Sequence, residues 1–143
     1  MMDDTVYVGV KLDPKAIKPT KAHDDDAAFD LYARHGFMVD GYSWVNHDTG
    51  VHMVIPKGYC GLIVNRSSMA VKHGLTTLGL VDSGYTGTIT VSIHNPFEDD
   101  HMIVKGARIA QIMILPVPDV ELIDIEEMPD TERGDKGFGS TGA

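Results

Sequence analysis

A chain of 143 residues has room for one domain with a hydrophobic core of its own. Its formal charge of −9, from 12 Lys and Arg against 21 Asp and Glu, excludes a surface built to neutralise a nucleic-acid backbone, and its single cysteine, Cys60, excludes an internal disulfide. The opening Met1-Met2-Asp3-Asp4 has no basic region leading into an apolar one, and the apolar runs stop well short of a membrane span. The expectation is therefore a soluble protein of the cytoplasm, a host's cytoplasm if the source is viral, with neither nucleic acid nor membrane as partner.

Along the chain the dominant signal is alternation of apolar and polar side chains between Gly, Pro, Asn and Asp punctuation. Strands are predicted over residues 6–12, 29–33, 37–39, 52–55, 61–65, 88–94, 107–116 and 121–125. The clearest is 88–94, where Ile89, Val91 and Ile93 share one face, Thr90 and Ser92 the other, and Asn95-Pro96 stops the run. Residues 67–74 depart from the pattern: Ser67 can cap a helix N-terminus, basic side chains fall in the last turn, and Gly74 suits the exit. So many short strands around one short helix predict an all-β fold, a jelly-roll-like sandwich or barrel spanning residues 1–130. Residues 131–143, with Gly134, Gly137, Gly139 and Gly142 and only Phe138 as a large apolar group, cannot pack on themselves and are expected to form a mobile C-terminal arm.

Five segments carry residue types suited to chemistry. The first, residues 27–33, sets Asp30 among apolar neighbours, as a solvent-facing strand Asp would also be. In the second, Asn65-Arg66-Ser67-Ser68, a guanidinium, two hydroxyls and the free N–H groups of a helix start form an anion site, or else an ordinary capped helix. The third, residues 79–87, is read as a hairpin whose Leu80–Val81 backbone could recognise a flat base; Asp82 could serve as a general base and the Tyr85 ring could underlie a sugar, against the plainer reading of a turn Asp and a packed Tyr. The fourth, residues 106–113, contributes one amide, Gln111. The fifth, from Arg133 to Gly142, joins an arginine, flexible glycines, Ser140, Thr141 and one aromatic, Phe138, which lacks a local partner.

In this order and spacing, from Tyr7 to Gly142, the five segments resemble the motifs of the homotrimeric dUTPase family. The resemblance implies hydrolysis of dUTP to dUMP and pyrophosphate, which limits uracil in DNA and supplies dUMP for dTMP synthesis. It implies Asp82 as the base that activates water at the α-phosphate, and Tyr85 beneath the deoxyribose. Uracil would be read by the hairpin from Thr76 through Leu80 and Val81. Phosphates would be held by Arg66, Ser67, Ser68 and Gln111, with Arg133, Gly139, Ser140 and Thr141 on the arm and Phe138 over the base. Mg²⁺ would be carried mainly by the substrate phosphates, with Asp30 acting on it through water or on Arg66. The implied assembly is a homotrimer with shared sites. Three positions depart from the family pattern: Asn65 stands for the usual Pro, Ala28 for Gly, and Thr76 for an Asn at the uracil edge. A hydroxyl cannot reproduce the paired geometry of an amide, so base reading would rest on main-chain groups.

Three other readings were weighed. A related dCTP deaminase needs a carboxylate where Ser92 stands. A regulatory module acting on a protein partner could coexist with catalysis. A metal-binding β protein would use residues 23–26, His47 and His52, which lack strong ligand spacing.

Overall fold

The computed structural model describes residues 4–66 and 79–137. Among them nine strands form: β1 (Gly9–Leu12), β2 (Phe29–Tyr32), β3 (Phe37–Val39), β4 (Trp44–Val54), β5 (Tyr59–Val64), β6 (Gly79–Val81), β7 (Thr88–His94), β8 (His101–Ile103) and β9 (Arg108–Pro116). They pair antiparallel into a three-stranded sheet ordered β1-β4-β7, a four-stranded sheet ordered β2-β9-β5-β6 and a small β3-β8 pair. One apolar cluster draws on all three: Val51, Ile89, Val91 and Ile93 from the first sheet, Leu31, Ile109 and Ile112 from the second, Val39 and Ile103 from the third. Each such side chain removed from water contributes about 1.5–3 kcal/mol. The predicted all-β class therefore stands, and the predicted helix over residues 67–74 lies outside the described residues.

Strand β7 follows its sequence pattern, with Ile89, Val91 and Ile93 buried and Thr90 exposed. β4 does not: only residues 52–55 are predicted, yet the strand begins at Trp44. The apparent turn signal Asp48-Thr49-Gly50 is absorbed as a bulge. Pairing runs Asp48↔Thr90 and then His52↔Thr88, so β4 accommodates two residues more than β7 there. Gly50 takes φ 72, and a Cβ at that position would lie 2.9 Å from Ala16 Cβ and Arg34 Nη1. The Thr49 hydroxyl, buried, donates to the Ile89 carbonyl at 2.6 Å and ties the bulge to β7. β8 is unpredicted: it follows the charged run Glu98-Asp99-Asp100 and is set by its pairing with β3.

The strand expected over residues 121–125 does not form. These residues belong to no sheet, and Leu122 is 93% exposed. Among the described residues the segment pairs with no strand, so its main chain gains no ladder hydrogen bonds to hold it extended.

His47 is buried against the Phe37 ring, stacked at 4.4 Å between centroids, and its Nε2 accepts the Arg34 amide at 2.9 Å. A nitrogen that accepts cannot also carry a proton. Burial, reinforced by the neighbouring His35, lowers its pKa to about 4. The unfolded chain therefore takes up a proton from about pH 6.5 downward that the folded chain refuses until pH approaches 4, so folding stability present above the upper value is lost across this window, by on the order of 3 kcal/mol. Denaturant unfolding at a series of pH values checks this: His47→Gln, which keeps an acceptor and does not titrate, should show a shallower loss of stability on acidification than the parent.

Candidate active site

One candidate cleft, about 560 Å³, is lined by Asp26, Asp30, Arg66, Arg108 and Gln111 together with Ala27, Ala28, Val64 and Met113. Three neighbouring strands bring these groups together: Asp30 on β2 lies opposite Gln111 on β9, and Gln111 lies opposite Val64 at the end of β5. The Asp30 amide donates to the Thr20 carbonyl at 2.7 Å, which fixes the strand on its other side. Its carboxylate faces two guanidinium groups, Arg66 Nε at 3.5 Å and Arg108 Nε at 3.9 Å. The Gln111 side-chain amide donates to the Asn65 carbonyl at 3.0 Å, and Arg66 Nη1 donates to the Arg108 carbonyl at 3.3 Å. Two guanidinium groups thus share the Asp30 carboxylate; with Asp26 also in the lining the cleft carries no net positive charge, and what suits it to an anion is the set of N–H donors on the two arginines.

Arg108 is a member of this group that the sequence reading missed. Three positions from Gln111, it should point to the opposite face of an ideal strand. Pairing passes from Leu31↔Ala110 to Tyr32↔Arg108, leaving Ile109 as an extra residue, and Ile109 and Ala110 are buried in succession. The bulge resets the phase and returns Arg108 to the side of Gln111. The signal in the sequence is that adjacent apolar pair, which interrupts the alternation.

A second recess of about 230 Å³ is lined by Leu80, Val81, Asp82, Tyr85, Thr88 and Thr90 over the floor of Ile63 and Ile89. Among the described residues β6 is an edge strand of its sheet, and no described strand pairs with its outward main-chain N–H and C=O groups. Leu80 is 72% exposed while Val81 packs into the core. After β6 the chain turns, with the Tyr85 amide donating to the Asp82 carbonyl at 3.1 Å, and leaves Asp82 exposed at the mouth of the recess. The Tyr85 hydroxyl donates to the Thr88 carbonyl at 2.6 Å, which lays the ring over Gly87; a Cβ on Gly87 would come within 2.5 Å of that hydroxyl. Glycine is required at position 87 for this ring placement.

The residues predicted to act on substrate therefore divide. Asp30, Arg66 and Gln111 gather in one cleft, and Leu80, Val81, Asp82 and Tyr85 in the other. Arg133 lies on an exposed segment whose hydrogen bonds are local, its Nε donating to the Lys136 carbonyl. Ser67, Ser68, Thr76, Phe138, Gly139, Ser140 and Thr141 lie outside the described residues. Ser92 donates to Asn46 Oδ1 at 2.7 Å, a neutral pair across β4 and β7. The histidines weighed as metal ligands have separate partners: His47 accepts from Arg34, and His52 bonds Asp13 and Thr86. Among the described residues no three His, Cys, Asp or Glu side chains converge as a metal site, and no helix is long and apolar enough to cross a membrane.

The dUTPase family model matches residues 14–142. The chain belongs to the dUTPase family. Among its relatives, the deoxyuridine 5'-triphosphate nucleotidohydrolase of Cutibacterium acnes is 40% identical over 146 aligned residues, covering 99% of this chain and 94% of the relative. The dUTPase of Staphylococcus bacteriophage 80alpha, solved with dUpNHpp and described among phage dUTPases that control transfer of virulence genes, superposes with a TM-score of 0.90 at 31% identity, covering 97% of this chain and all of the other. A mutant dUTPase from phage phi11 of S. aureus, described as revealing the coordination of a structural Mg(II) ion, superposes with a TM-score of 0.80 at 25% identity over 85% of this chain and 97% of its own. The present dUTPase thus shares the jelly-roll-like fold of its family across nearly its whole length, and the family's enzymes are hydrolases.

Proposed function

We propose that this dUTPase hydrolyses dUTP to dUMP and pyrophosphate at sites shared between copies of the chain, with Asp82 as the base that activates water for attack at the α-phosphorus. The observation that carries this reading is the division just described: the Asp82 carboxylate with its neighbouring ring and edge strand occupies one concavity, and the arginine pair with Gln111 another, so a single chain offers two half-sites. A homotrimer joins the Asp82 recess of one copy to the arginine cleft of the next. Its assembly has surface to use, since Val120, Leu122, Ile123 and Met128 are exposed on the isolated chain and seek apolar cover.

In the joined site the open main chain of β6, with Thr76, Leu80 and Val81, reads the uracil edge, and Tyr85 lies under the deoxyribose. Arg66 and Gln111, with Ser67 and Ser68, hold phosphate oxygens; Asp30 orients Arg66. The arm closes with Phe138 over the base while Arg133, Gly139, Ser140 and Thr141 meet the outer phosphates. Asp82 accepts a proton from water as the water oxygen bonds to the α-phosphorus in line with the departing pyrophosphate, and alignment supplies much of the rate. Mg²⁺ would be held mainly by the triphosphate that carries it, whose charge it would spread, and Asp30, which already faces two arginines, would act on it through water. In the cytoplasm such turnover keeps uracil out of DNA and supplies dUMP for dTMP synthesis.

Complementation tests the shared site. Asp82→Asn chains and Arg66→Ala chains, each inactive alone, are unfolded, mixed in equal amounts and refolded. Random assembly should restore activity in roughly a quarter of the sites, those that take an intact residue from each of two neighbours. No recovery in the mixed trimers would assign both residues to one chain.

A further inference from the structure

His52 sits on β4, on the far side of the bulge, and bridges two other elements. Its Nδ1 lies 2.9 Å from the Thr86 carbonyl oxygen and its Nε2 lies 3.0 Å from Asp13 Oδ1. A main-chain carbonyl can only accept, and so can an ionised carboxylate. A neutral imidazole has one N–H and can satisfy one of them; both bonds form only when both ring nitrogens carry protons. The Asp13 end is firm: its amide donates to the Gly50 carbonyl at 2.8 Å, inside the bulge, and its own carbonyl accepts the Ala16 amide at 3.0 Å. The Thr86 end belongs to the turn of residues 82–87. Among the described residues, His52 supplies the side-chain hydrogen bond that reaches this turn from another element, and the turn otherwise relies on the Tyr85 to Asp82 bond and the ring resting on Gly87.

We propose that His52, held as an imidazolium between the Asp13 carboxylate and the Thr86 carbonyl, is a positioning residue for the turn that carries Asp82 and Tyr85. It touches no reacting atom. It fixes the start of β7 relative to the end of β6 and thereby the aim of the carboxylate, and it rests on the reading of Asp82 as the base. The charged groups facing it are Asp13, which favours the proton, and Lys11, its cross-strand neighbour on β1, which opposes it; on β7 the paired residue, Thr88, is neutral. The bond to Thr86, followed by the bond to Asp13, raises the pKa of the ring above the usual histidine value. The bridge is therefore complete below that raised value and fails as pH rises through it, when one nitrogen turns a lone pair toward an acceptor.

Two measurements on the full-length protein test this. Nitrogen-detected NMR of the His52 ring over a pH series should show both nitrogens protonated up to a higher pH than an ordinary histidine allows, with Asp13→Asn moving the deprotonation to lower pH; a ring that deprotonates at or below the ordinary histidine value would overturn the proposal. In pH profiles of dUTP turnover, the parent should decline as pH rises through the His52 value, and His52→Gln should lower kcat about threefold to tenfold with a smaller change in KM and lack that decline. In Asp13→Asn the decline should begin at lower pH. A His52→Gln enzyme with the parent's kcat and the parent's alkaline decline would contradict the role, and if that variant fails to fold, the NMR and Asp13→Asn results decide. Asp82→Asn run alongside separates the two claims: its inactivity together with a silent His52→Gln defeats the positioning role alone, whereas retained activity in Asp82→Asn defeats the base.

Discussion

Asp82→Asn should lower kcat about 10²- to 10⁴-fold while leaving the affinity for a non-hydrolysable dUTP analogue within about threefold, the range expected when a positioned general base is removed and little else changes. The substitution is nearly isosteric. Asp82 is exposed at the recess mouth, and the hydrogen bond that shapes its turn uses its main-chain carbonyl, which Asn retains. The fold therefore has no reason to change, and thermal unfolding should be the same for both proteins. What changes is basicity: an amide cannot accept the proton of a water attacking phosphorus. Isothermal titration with the analogue and steady-state turnover together separate the two effects, and near-parental kcat in Asp82→Asn would remove the base from the scheme.

Truncation before Arg133 is expected to have an effect of similar size by another route. Of the described residues removed, 133–136 are exposed and their hydrogen bonds run within residues 131–136. The melting temperature should therefore hold. Turnover should fall at least about a hundredfold, because the arm is assigned the outer phosphates and the cover that excludes water, interactions that count most in the transition state. With Phe138 as its one large apolar side chain, the arm is expected to close on ligand, and in the intact chain it should become protected from proteolysis when the dUTP analogue is added. A truncated enzyme with full kcat would show that closure plays no part.

How much of this was legible beforehand follows from which signals are local. Alternation revealed β7 because its period is intact, with Ile89, Val91 and Ile93 all reaching the core. It failed at β4, where Asp48-Thr49-Gly50 has the composition of a turn and becomes a bulge because Thr49 finds a carbonyl on β7, a partner 40 residues away. It failed again at residues 121–125, where the composition suits a strand but, among the described residues, no other strand pairs with the segment. In the candidate site, Asp30, Arg66 and Gln111 were recognisable as residue types, and their convergence depends on cross-strand register. Arg108 escaped because its orientation is set by an irregularity opposite Leu31 and Tyr32, and His52 because its two acceptors lie 39 and 34 positions away in sequence. The division of the site into two concavities is a property of the folded chain that no segment states by itself.

The most direct measurement of the chemistry is a single turnover of dUTP in water enriched in heavy oxygen, with the products separated and weighed by mass spectrometry. Water activated by Asp82 and delivered to the innermost phosphorus places the label in dUMP and leaves pyrophosphate unlabelled. Label found in pyrophosphate would mean attack at the β-phosphorus, and the assignment of Asp82 as the base facing the α-phosphate would be wrong.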